Sequence, residues 1–330
     1  MKANKQDAKS LPPRKVVVAS ALYGMWGPYP GLQGRLEALG EIVDEMARKA
    51  ARRFDGTALD LAVLPEYALT GSGRRPVAEA AIRLSDEFLE AVGDLARRHK
   101  CYLVAGLHLA EGNRPVRYFN AALLMDRQGK PAGIYRYVHP SAWELAGSGI
   151  SPGKGFPVFD CDFGRIGIQF CGEVGYADGW RALQRKGAEL IAFPSQPPYP
   201  MQVAARAAGA RCYVLSSTWR GAAMLHDPLG APVAQIRQGE GRVLVERIDL
   251  SYAILGWQAK LEGGKVFDKT FGSRAGYRYY ELDDQGIFWS NDPEFPIGRM
   301  VRQLKLTTFP QDHARSLVAQ SKARARVWKR

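Results

Sequence analysis

Two segments of the sequence place reactive side chains directly after apolar runs that are typical of buried strands. Glu66 follows Leu61–Pro65, and Cys171 follows Ile166–Phe170 and precedes Gly172. In open α/β folds, side chains at strand ends meet at one rim of the sheet, where active sites gather. A thiol on a strand-to-helix turn is exposed and close to helix amides. The pattern therefore favours a nucleophilic thiol at Cys171 and places a carboxylate at the rim of the sheet.

A third segment, residues 135–139, supplies aromatic and basic groups and is followed by Glu144. In an extended backbone Tyr135, Tyr137 and His139 share one face, while Arg136 points the other way. Taken singly, each of the three signals has a simpler structural explanation. A cysteine after an apolar strand is often an inert core residue, and a glutamate there is often a helix cap. The other cysteines are interpreted as structural: Cys101, Cys161 and Cys212.

Apolar strands alternate along the chain with helical patterns, which must position these groups. Apolar residues three or four apart predict helices over residues 34–54, 78–99 and 178–186. Short apolar runs bounded by turns predict strands at residues 16–21, 61–64, 101–106, 120–126, 166–170, 190–193, 213–217 and 242–249. No internal repeat or linker interrupts residues 14–300, which favours one α/β domain followed by an extension.

Together the three segments resemble the nitrilase, or carbon–nitrogen hydrolase, superfamily. Leu64–Gly71 resembles the family's glutamate segment, and Asp162–Gly167 with Cys171 resembles its cysteine segment. The supporting segments are Gly187–Ile191, Pro194-Ser195, Arg206, Tyr213–Ser217 and Asp227–Gly230. The resemblance runs from about residue 15 to 248 and more loosely to 296. It implies an α/β fold, a four-layer α-β-β-α sandwich that pairs into homodimers or larger homo-oligomers, with no metal and no cofactor.

The same resemblance implies a role for each site residue. Cys171 is expected to attack an amide, carbamoyl or nitrile carbon and form a thioester or thioimidate, with Glu66 as general base. The Gly172 N–H is expected to help hold the oxyanion, and Glu144 matches a second glutamate that orients substrate or positions catalytic groups. The remaining substrate-binding predictions are Trp143, Glu173 and Ser195. Trp143, Trp180 and Tyr199 are candidates for lining an apolar pocket, although such aromatic residues serve plain packing equally often.

The sequence departs from the family's pattern at one position, because Tyr137 occupies the place of the usual catalytic lysine. A neutral phenol donates a hydrogen bond but supplies no charge. Loss of one oxyanion donor typically costs about 2.7–4 kcal/mol, and loss of the cation raises the pKa of the thiol and of the carboxylates. Lys154 or Lys186 could supply the missing charge. Two hypotheses follow: an active hydrolase, or a catalytically impaired relative that binds a small molecule or partner.

The chain of 330 residues carries a formal net charge of +13, which would suit a nucleic-acid or anionic-membrane partner. About +10 of that charge lies in residues 1–15 and 313–330, so the body is nearly neutral. Basic ends are usually solvated, and nucleic acid or membrane is not the expected partner. The predicted organisation is a basic tail (1–14), a carbon–nitrogen hydrolase domain (15–297) and a basic extension (298–330). Dispersed cysteines and no export signal favour a cytoplasmic protein.

Overall fold

The computed structural model describes residues 12–71 and 76–328, so residues 1–11 of the predicted N-terminal tail lie outside the described residues. The strands are β1 (Lys15–Ala21), β2 (Leu61–Val63), β3 (Tyr102–Glu111), β4 (Arg117–Met125), β5 (Pro131–Arg136), β6 (Val158–Cys161), β7 (Gly164–Ile168), β8 (Leu190–Pro194), β9 (Tyr213–Ser217), β10 (Ala222–His226), β11 (Pro232–Arg237), β12 (Val243–Asp249), β13 (Tyr252–Gly256), β14 (Ala275–Tyr280) and β15 (Gln285–Ser290). The helices are α1 (Gly31–Arg53), α2 (Val77–Ala80), α3 (Asp86–Arg97), α4 (Ala142–Ala146), α5 (Ala177–Arg185), α6 (Pro200–Ala210), α7 (Lys265–Phe271), α8 (Ile297–Gln303) and α9 (Phe309–Val327).

Two six-stranded sheets form the body, and each has parallel strands at its centre and antiparallel strands beside them. The first has the order β12-β1-β2-β3-β4-β5, in which β1, β2 and β3 are parallel. The second has the order β11-β10-β9-β8-β7-β6, in which β7, β8 and β9 are parallel. Buried parallel strands need apolar residues on both faces, which explains why these strands are continuous apolar runs in the sequence.

Helices cover the outer face of each sheet. Leu39 and Met46 of α1 and Val92 of α3 pack with Ala62 and Leu103 of the first sheet. The α5 and α6 helices pack in the same way on the second sheet, through Trp180, Leu183, Val203 and Ala207. Strand β2 contacts β8 and β9 across the middle of the body. The predicted four-layer α-β-β-α sandwich is therefore confirmed.

Hydrogen bonds join the two sheets where β1 and β9 end. The Ser217 hydroxyl donates to the Ala21 carbonyl oxygen at 2.9 Å and accepts from the Ala21 N–H at 3.1 Å. The Thr218 N–H donates to the same carbonyl at 2.9 Å. Next along the chain, the indole N–H of Trp219 donates to the Glu66 carbonyl at 2.8 Å. This joint fixes the end of the second sheet against the turn that carries Glu66.

The helix predicted over residues 78–99 is wrong in its first third. The chain forms the short helix α2 and then an extended break, and α3 begins only after Ser85. Ile82 in the break pairs with β3, since its N–H donates to the His108 carbonyl at 2.9 Å. The Ser85 hydroxyl then accepts from the Phe88 N–H and caps α3. Pairing with β3 satisfies the Ile82 backbone groups that the break exposes, and the Ser85 cap does the same for the new helix start, so the helical spacing does not produce one continuous helix here.

Backbone contacts divide the chain into two compact units: one covers residues 16–248, and the other groups residues up to 15 with those from 249 onward. The second unit contains the antiparallel sheet β13-β15-β14 with α7 and α8 around a core that includes Phe267, Phe288 and Met300. The boundary at 248/249 falls inside the range 15–297 that the sequence assigns to the hydrolase domain, and that assignment stays a prediction. Among the described residues no helix combines the length and the apolar character that a bilayer crossing requires.

Candidate active site

Glu66 lies in the tight turn that follows β2, and its side chain is almost completely buried, at 2% exposure. The next residue, Tyr67, has a positive φ of 56° and turns the chain back over β3. The turn lies so close to Gly106 of β3 that a Cβ there would be 2.6 Å from the Tyr67 nitrogen. Glycine at that position therefore allows the glutamate turn to rest on the sheet.

The Glu66 carboxylate has an amide rather than a cation as its hydrogen-bond partner. Asn120 of β4 donates through Nδ2 to Oε1 at 2.7 Å and also to the Tyr67 hydroxyl at 2.9 Å. Burial raises the pKa of Glu66 to about 8, and the charges of Glu144 and Glu173 add to that rise. The Asn120 amide and the Cys171 thiol oppose it. Oε2 has no partner in good hydrogen-bond geometry among the described residues, so it can take up a proton.

Cys171 opens a 3₁₀ helix, Cys171–Gly175, immediately after β7. Its φ of 29° is unusual for a residue with a side chain, and such strain is typical of functional turns. Burial raises the pKa of the thiol to about 12, and the neighbouring Glu66 adds to that rise. The Gln196 backbone and the Ser195 hydroxyl lower it. The group is therefore a neutral thiol that needs a base to become a nucleophile.

Tyr137 follows β5 and is buried, with 4% of its surface exposed. Its backbone is fixed on both sides, since its N–H donates to Asn120 and its carbonyl accepts from Gly153. A Cβ on Gly172 would be 2.7 Å from the Tyr137 hydroxyl, so that hydroxyl lies directly against the residue after Cys171. Burial holds the pKa of Tyr137 far above its usual range, with Glu144 and Cys171 as further causes, so the phenol stays a neutral donor.

Glu173 was predicted to bind substrate, but its carboxylate is completely buried and bonded within the protein. It accepts the Tyr135 hydroxyl at 2.6 Å, the Val138 N–H at 2.9 Å and the Phe170 N–H at 2.8 Å. These contacts connect the segment that carries Tyr137 with the turn that carries Cys171. Glu173 therefore holds these two segments together inside the protein.

A cleft of about 770 Å³ adjoins this cluster. Its walls include Tyr67, His108, Tyr118, Trp143, Glu144 and Gln196. The Trp143 side chain is 72% exposed and forms part of the wall. Glu144 is half-buried on α4, where its Oε2 accepts the Ser141 N–H and hydroxyl in a capping box. It thus serves as a helix cap while adding negative charge near Glu66 and Tyr137.

Of the other predicted pocket residues, two lie beside the thiol and one does not. Ser195 is fully buried, donates to the Pro197 carbonyl at 2.6 Å and interacts with Cys171. Tyr199, whose φ is 45°, also interacts with Cys171 through its hydroxyl. Trp180, in contrast, is a core residue with 2% exposure, and its indole N–H donates to the Glu173 carbonyl. Its aromatic character therefore serves packing of α5.

The lysines and arginines suggested by the sequence do not replace the missing cation in the described residues. Arg136 pairs with Glu111 on the opposite face of β5, as the alternation predicts. The Lys186 ammonium donates to the Phe156 carbonyl at 2.5 Å, and Lys154 is exposed. Within residues 12–71 and 76–328, no basic side chain is among the main causes that shift the pKa of Glu66, Cys171 or Tyr137.

Asn120 and Tyr135 are site residues that the sequence reasoning missed. Both belong to strands and are completely buried. One signal for Asn120 was available, because it is the one amide in the apolar run from Phe119 to Met125. A buried polar group in such a run needs a partner, and here that partner is Glu66. The described residues contain no cluster of His, Cys, Asp and Glu that could hold a metal ion, and the four cysteines form no disulfide.

Comparison with known proteins shows the family of the chain. A sequence profile described as "Carbon-nitrogen hydrolase" matches residues 21–255, which include Glu66, Tyr137 and Cys171. The chain belongs to the carbon–nitrogen hydrolase family. Among the solved structures, the chain is similar to a Saccharomyces cerevisiae member of branch 10 of the nitrilase superfamily, with a TM-score of 0.61 and 20% identity. That match covers 72% of this chain and 90% of the yeast protein.

Two curated relatives are identical to this chain at about a quarter of the aligned positions. The Caenorhabditis elegans nitrilase and fragile histidine triad fusion protein is 26% identical over 235 residues, which are 63% of this chain and 53% of that protein. The chain thus spans about half the length of the fusion protein. Human deaminated glutathione amidase is 28% identical over 254 residues, which are 68% of this chain and 74% of that protein.

The raised pKa of Glu66 predicts a stability change that depends on pH. The folded pKa of about 8 lies above the ordinary value of 4.5, so the ionised carboxylate destabilises the fold. Stability is therefore lost as the pH rises from 4.5 through 8. Glu66→Gln removes this loss and should raise the free energy of unfolding above that of wild type at high pH, by up to about 5 kcal/mol. At low pH the two proteins should differ little.

Urea unfolding of both proteins across this pH range checks the prediction. Because all other groups are shared, the difference between the two curves isolates Glu66. Glu90→Gln is the control, since Glu90 is exposed and paired with Arg97 and should give no gain at any pH. If the free energies of unfolding of Glu66→Gln and wild type differ by the same amount at every pH, the prediction is wrong, because the pKa of Glu66 would then not be raised by folding.

Proposed function

We propose that this protein is a thiol-dependent carbon–nitrogen hydrolase that cleaves an amide or carbamoyl compound. The observation that carries the proposal is the buried pair of Glu66 and Cys171, in which a carboxylate with a pKa of about 8 adjoins a thiol with a pKa of about 12. A base that titrates near neutral pH can remove the proton as attack proceeds. The family to which the chain belongs supports the same reaction class.

The proposed reaction has two halves that use Glu66 in turn. In the first, Sγ of Cys171 attacks the carbonyl carbon while Glu66 takes the thiol proton. Glu66 then gives that proton to the leaving amine, and a thioester to Cys171 remains. In the second, Glu66 removes a proton from water, which attacks the thioester. The carboxylic acid leaves, and the proton returns to the thiol.

Two donors are proposed for the oxyanion: the Gly172 N–H and the Tyr137 hydroxyl. The contact between Tyr137 and Gly172 supports this pairing, and the raised pKa of Tyr137 keeps its proton available for donation. A preorganised neutral donor stabilises developing charge without the cost of burying a further ion. Glu173 is proposed to position the two segments through its internal hydrogen bonds rather than to contact substrate.

The cleft supports a substrate larger than a simple aliphatic amide. Pockets that bury most of a drug-sized ligand measure about 300–1,000 Å³, and the cleft of about 770 Å³ lies in that range. We propose that the acyl portion lies along Trp143 and Tyr67, with Glu144 and Ser195 closer to the reacting atoms. The human relative is named for deaminated glutathione, which makes that compound a rational first substrate. A homo-oligomer and a cytoplasmic location stay predictions.

The absence of a cation near Glu66 and Cys171 among the described residues favours one other candidate function. With a pKa of about 8, Glu66 is only about 10% ionised at pH 7, so the base is mostly occupied by a proton. A protein with this site could bind amides in the cleft and turn them over slowly or not at all. The second hypothesis is therefore a binding protein with an impaired catalytic centre.

Covalent trapping separates the two functions. The full-length protein is incubated with deaminated glutathione and a panel of amides, carbamoyl compounds and nitriles, and adducts are located by intact mass and peptide mapping. An active hydrolase should release ammonia or amine and carry an acyl adduct on Cys171, which Cys171→Ala should abolish. Cys161→Ala, which removes another thiol that is not fully buried, should leave both signals unchanged. No adduct and no released amine across the panel would favour the binding protein.

The role of Tyr137 is tested by removing its hydroxyl alone. Tyr137→Phe keeps the ring contact with Phe170 but deletes the donor, so kcat/KM should fall about 10²–10³-fold while KM changes little. Tyr102→Phe is a matched control, since its hydroxyl contacts only the Asp162 backbone. Tyr137→Lys should leave turnover equal or lower if Tyr137 is a working donor. A rise in turnover for that variant would show instead that the natural site is impaired.

A further inference from the structure

The last helix, α9, is a 19-residue helix with no buried residue. It begins at a Thr308 capping box with Gln311, and Pro310 stands in its first turn. It contacts β13 of its own unit. Phe309 reaches Gly256 on β13, and beyond it only Ser316 is partly buried. Most of the helix therefore projects from the surface of its unit.

Small and apolar residues follow one another at helical spacing along α9 and form what we call the exposed stripe: Ala314, Leu317, Val318, Ser321, Ala325 and Trp328. Successive residues turn by about 100°, so these side chains fall within about 100° of arc. The stripe centre lies about 140° around the helix from Phe309 and Ser316, which face the unit. Leu317, Val318 and Trp328 are 53%, 56% and 79% exposed. The stripe is thus turned away from the core of its own unit.

Cations border the exposed stripe on both sides. Arg315, Lys322 and Arg326 lie along one border, and Arg324 lies along the other. Asp312, in the first turn, is the one acidic residue of the helix. Among the described residues these four cations have no ion-pair partner, and Arg315 makes a single long hydrogen bond to Thr307 at 3.5 Å. Positive charge therefore accumulates around an apolar centre.

We propose that α9 docks this protein onto an anionic lipid surface, with the exposed stripe in the interface and the bordering cations on the headgroups. An interfacial helix needs an apolar centre flanked by long basic side chains, whose charged ends can reach up to the phosphates. A tryptophan at the end of the stripe suits the headgroup boundary. A nucleic-acid ligand would require cations at the centre of the contact surface, whereas on α9 the cations lie at the borders of an apolar stripe. If the exposed stripe paired with that of a second copy, the basic borders of the two helices would repel each other. The small Ala and Ser side chains between them would bury little apolar surface in return.

Vesicle co-sedimentation of the full chain tests this proposal. Vesicles of phosphatidylcholine with about 30 mol% phosphatidylglycerol are compared with phosphatidylcholine alone, at low and high salt. The protein should bind the anionic vesicles at least about tenfold more strongly, and salt should weaken that binding. Lys322→Gln combined with Arg326→Gln, and separately Leu317→Gln combined with Val318→Gln, should each reduce it about tenfold.

The matched control is Ala319→Gln combined with Ala323→Gln, which makes the same kind of change on the side of α9 away from the stripe. It should bind vesicles as wild type does, and circular dichroism checks that every variant stays helical. Three results would overturn the proposal: equal binding to neutral vesicles, loss of binding in the control, or tighter binding to duplex DNA than to vesicles. A self-association that Leu317→Gln with Val318→Gln abolishes, without any vesicle binding, would assign the stripe to a second copy and also overturn it.

Discussion

The Glu66 carboxylate is buried beside a thiol with an amide, rather than a cation, as its hydrogen-bond partner. Burial alone raises the pKa of Glu66 toward neutral pH, and the charges of the nearby carboxylates raise it further. An ammonium group at Tyr137 would reverse that effect, because opposite charge favours the ionised carboxylate and thiolate. Without it, the lowest-energy state of the pair holds both protons near pH 7. The need for Glu66 to act as a base, and the alternative of an impaired catalytic centre, both follow from this electrostatic constraint.

The fold supplies the precision that such a site requires. Glu66 and Cys171 come from different sheets. Hydrogen bonds between the ends of β1 and β9, and between Trp219 and Glu66, fix the positions of the two sheet ends relative to each other. Glu173, which is completely buried, then connects the Cys171 turn to the segment of Tyr137 through its hydrogen bonds. Such a carboxylate is costly to bury, and its several donors offset that cost. The strained backbone at Cys171 persists because these neighbours determine its position.

The sequence predicted the parts of this arrangement that depend on local pattern. Apolar runs located the central parallel strands, and the resemblance to the nitrilase superfamily singled out Glu66, Tyr137 and Cys171, whose roles stay predictions. The reasoning failed where a long-range partner decides the outcome. The internal partners of Glu173 were not predicted, because only the fold brings Tyr135 and Val138 to it, and its substrate-binding role stays a prediction. Asn120 was missed for the same reason, and the break between α2 and α3 depends on pairing with β3.

The central claim is that Glu66 is the base that activates Cys171, and the pH dependence of acylation tests it most directly. The rate of thioester formation is measured in single turnovers from about pH 6 to pH 10 for wild type and for Glu66→Gln. The account predicts that the wild-type rate rises tenfold per pH unit and levels off near the Glu66 pKa of about 8. Glu66→Gln should acylate far more slowly and without that inflection. An unchanged inflection near pH 8 in Glu66→Gln would contradict the account, because another group would then be the base.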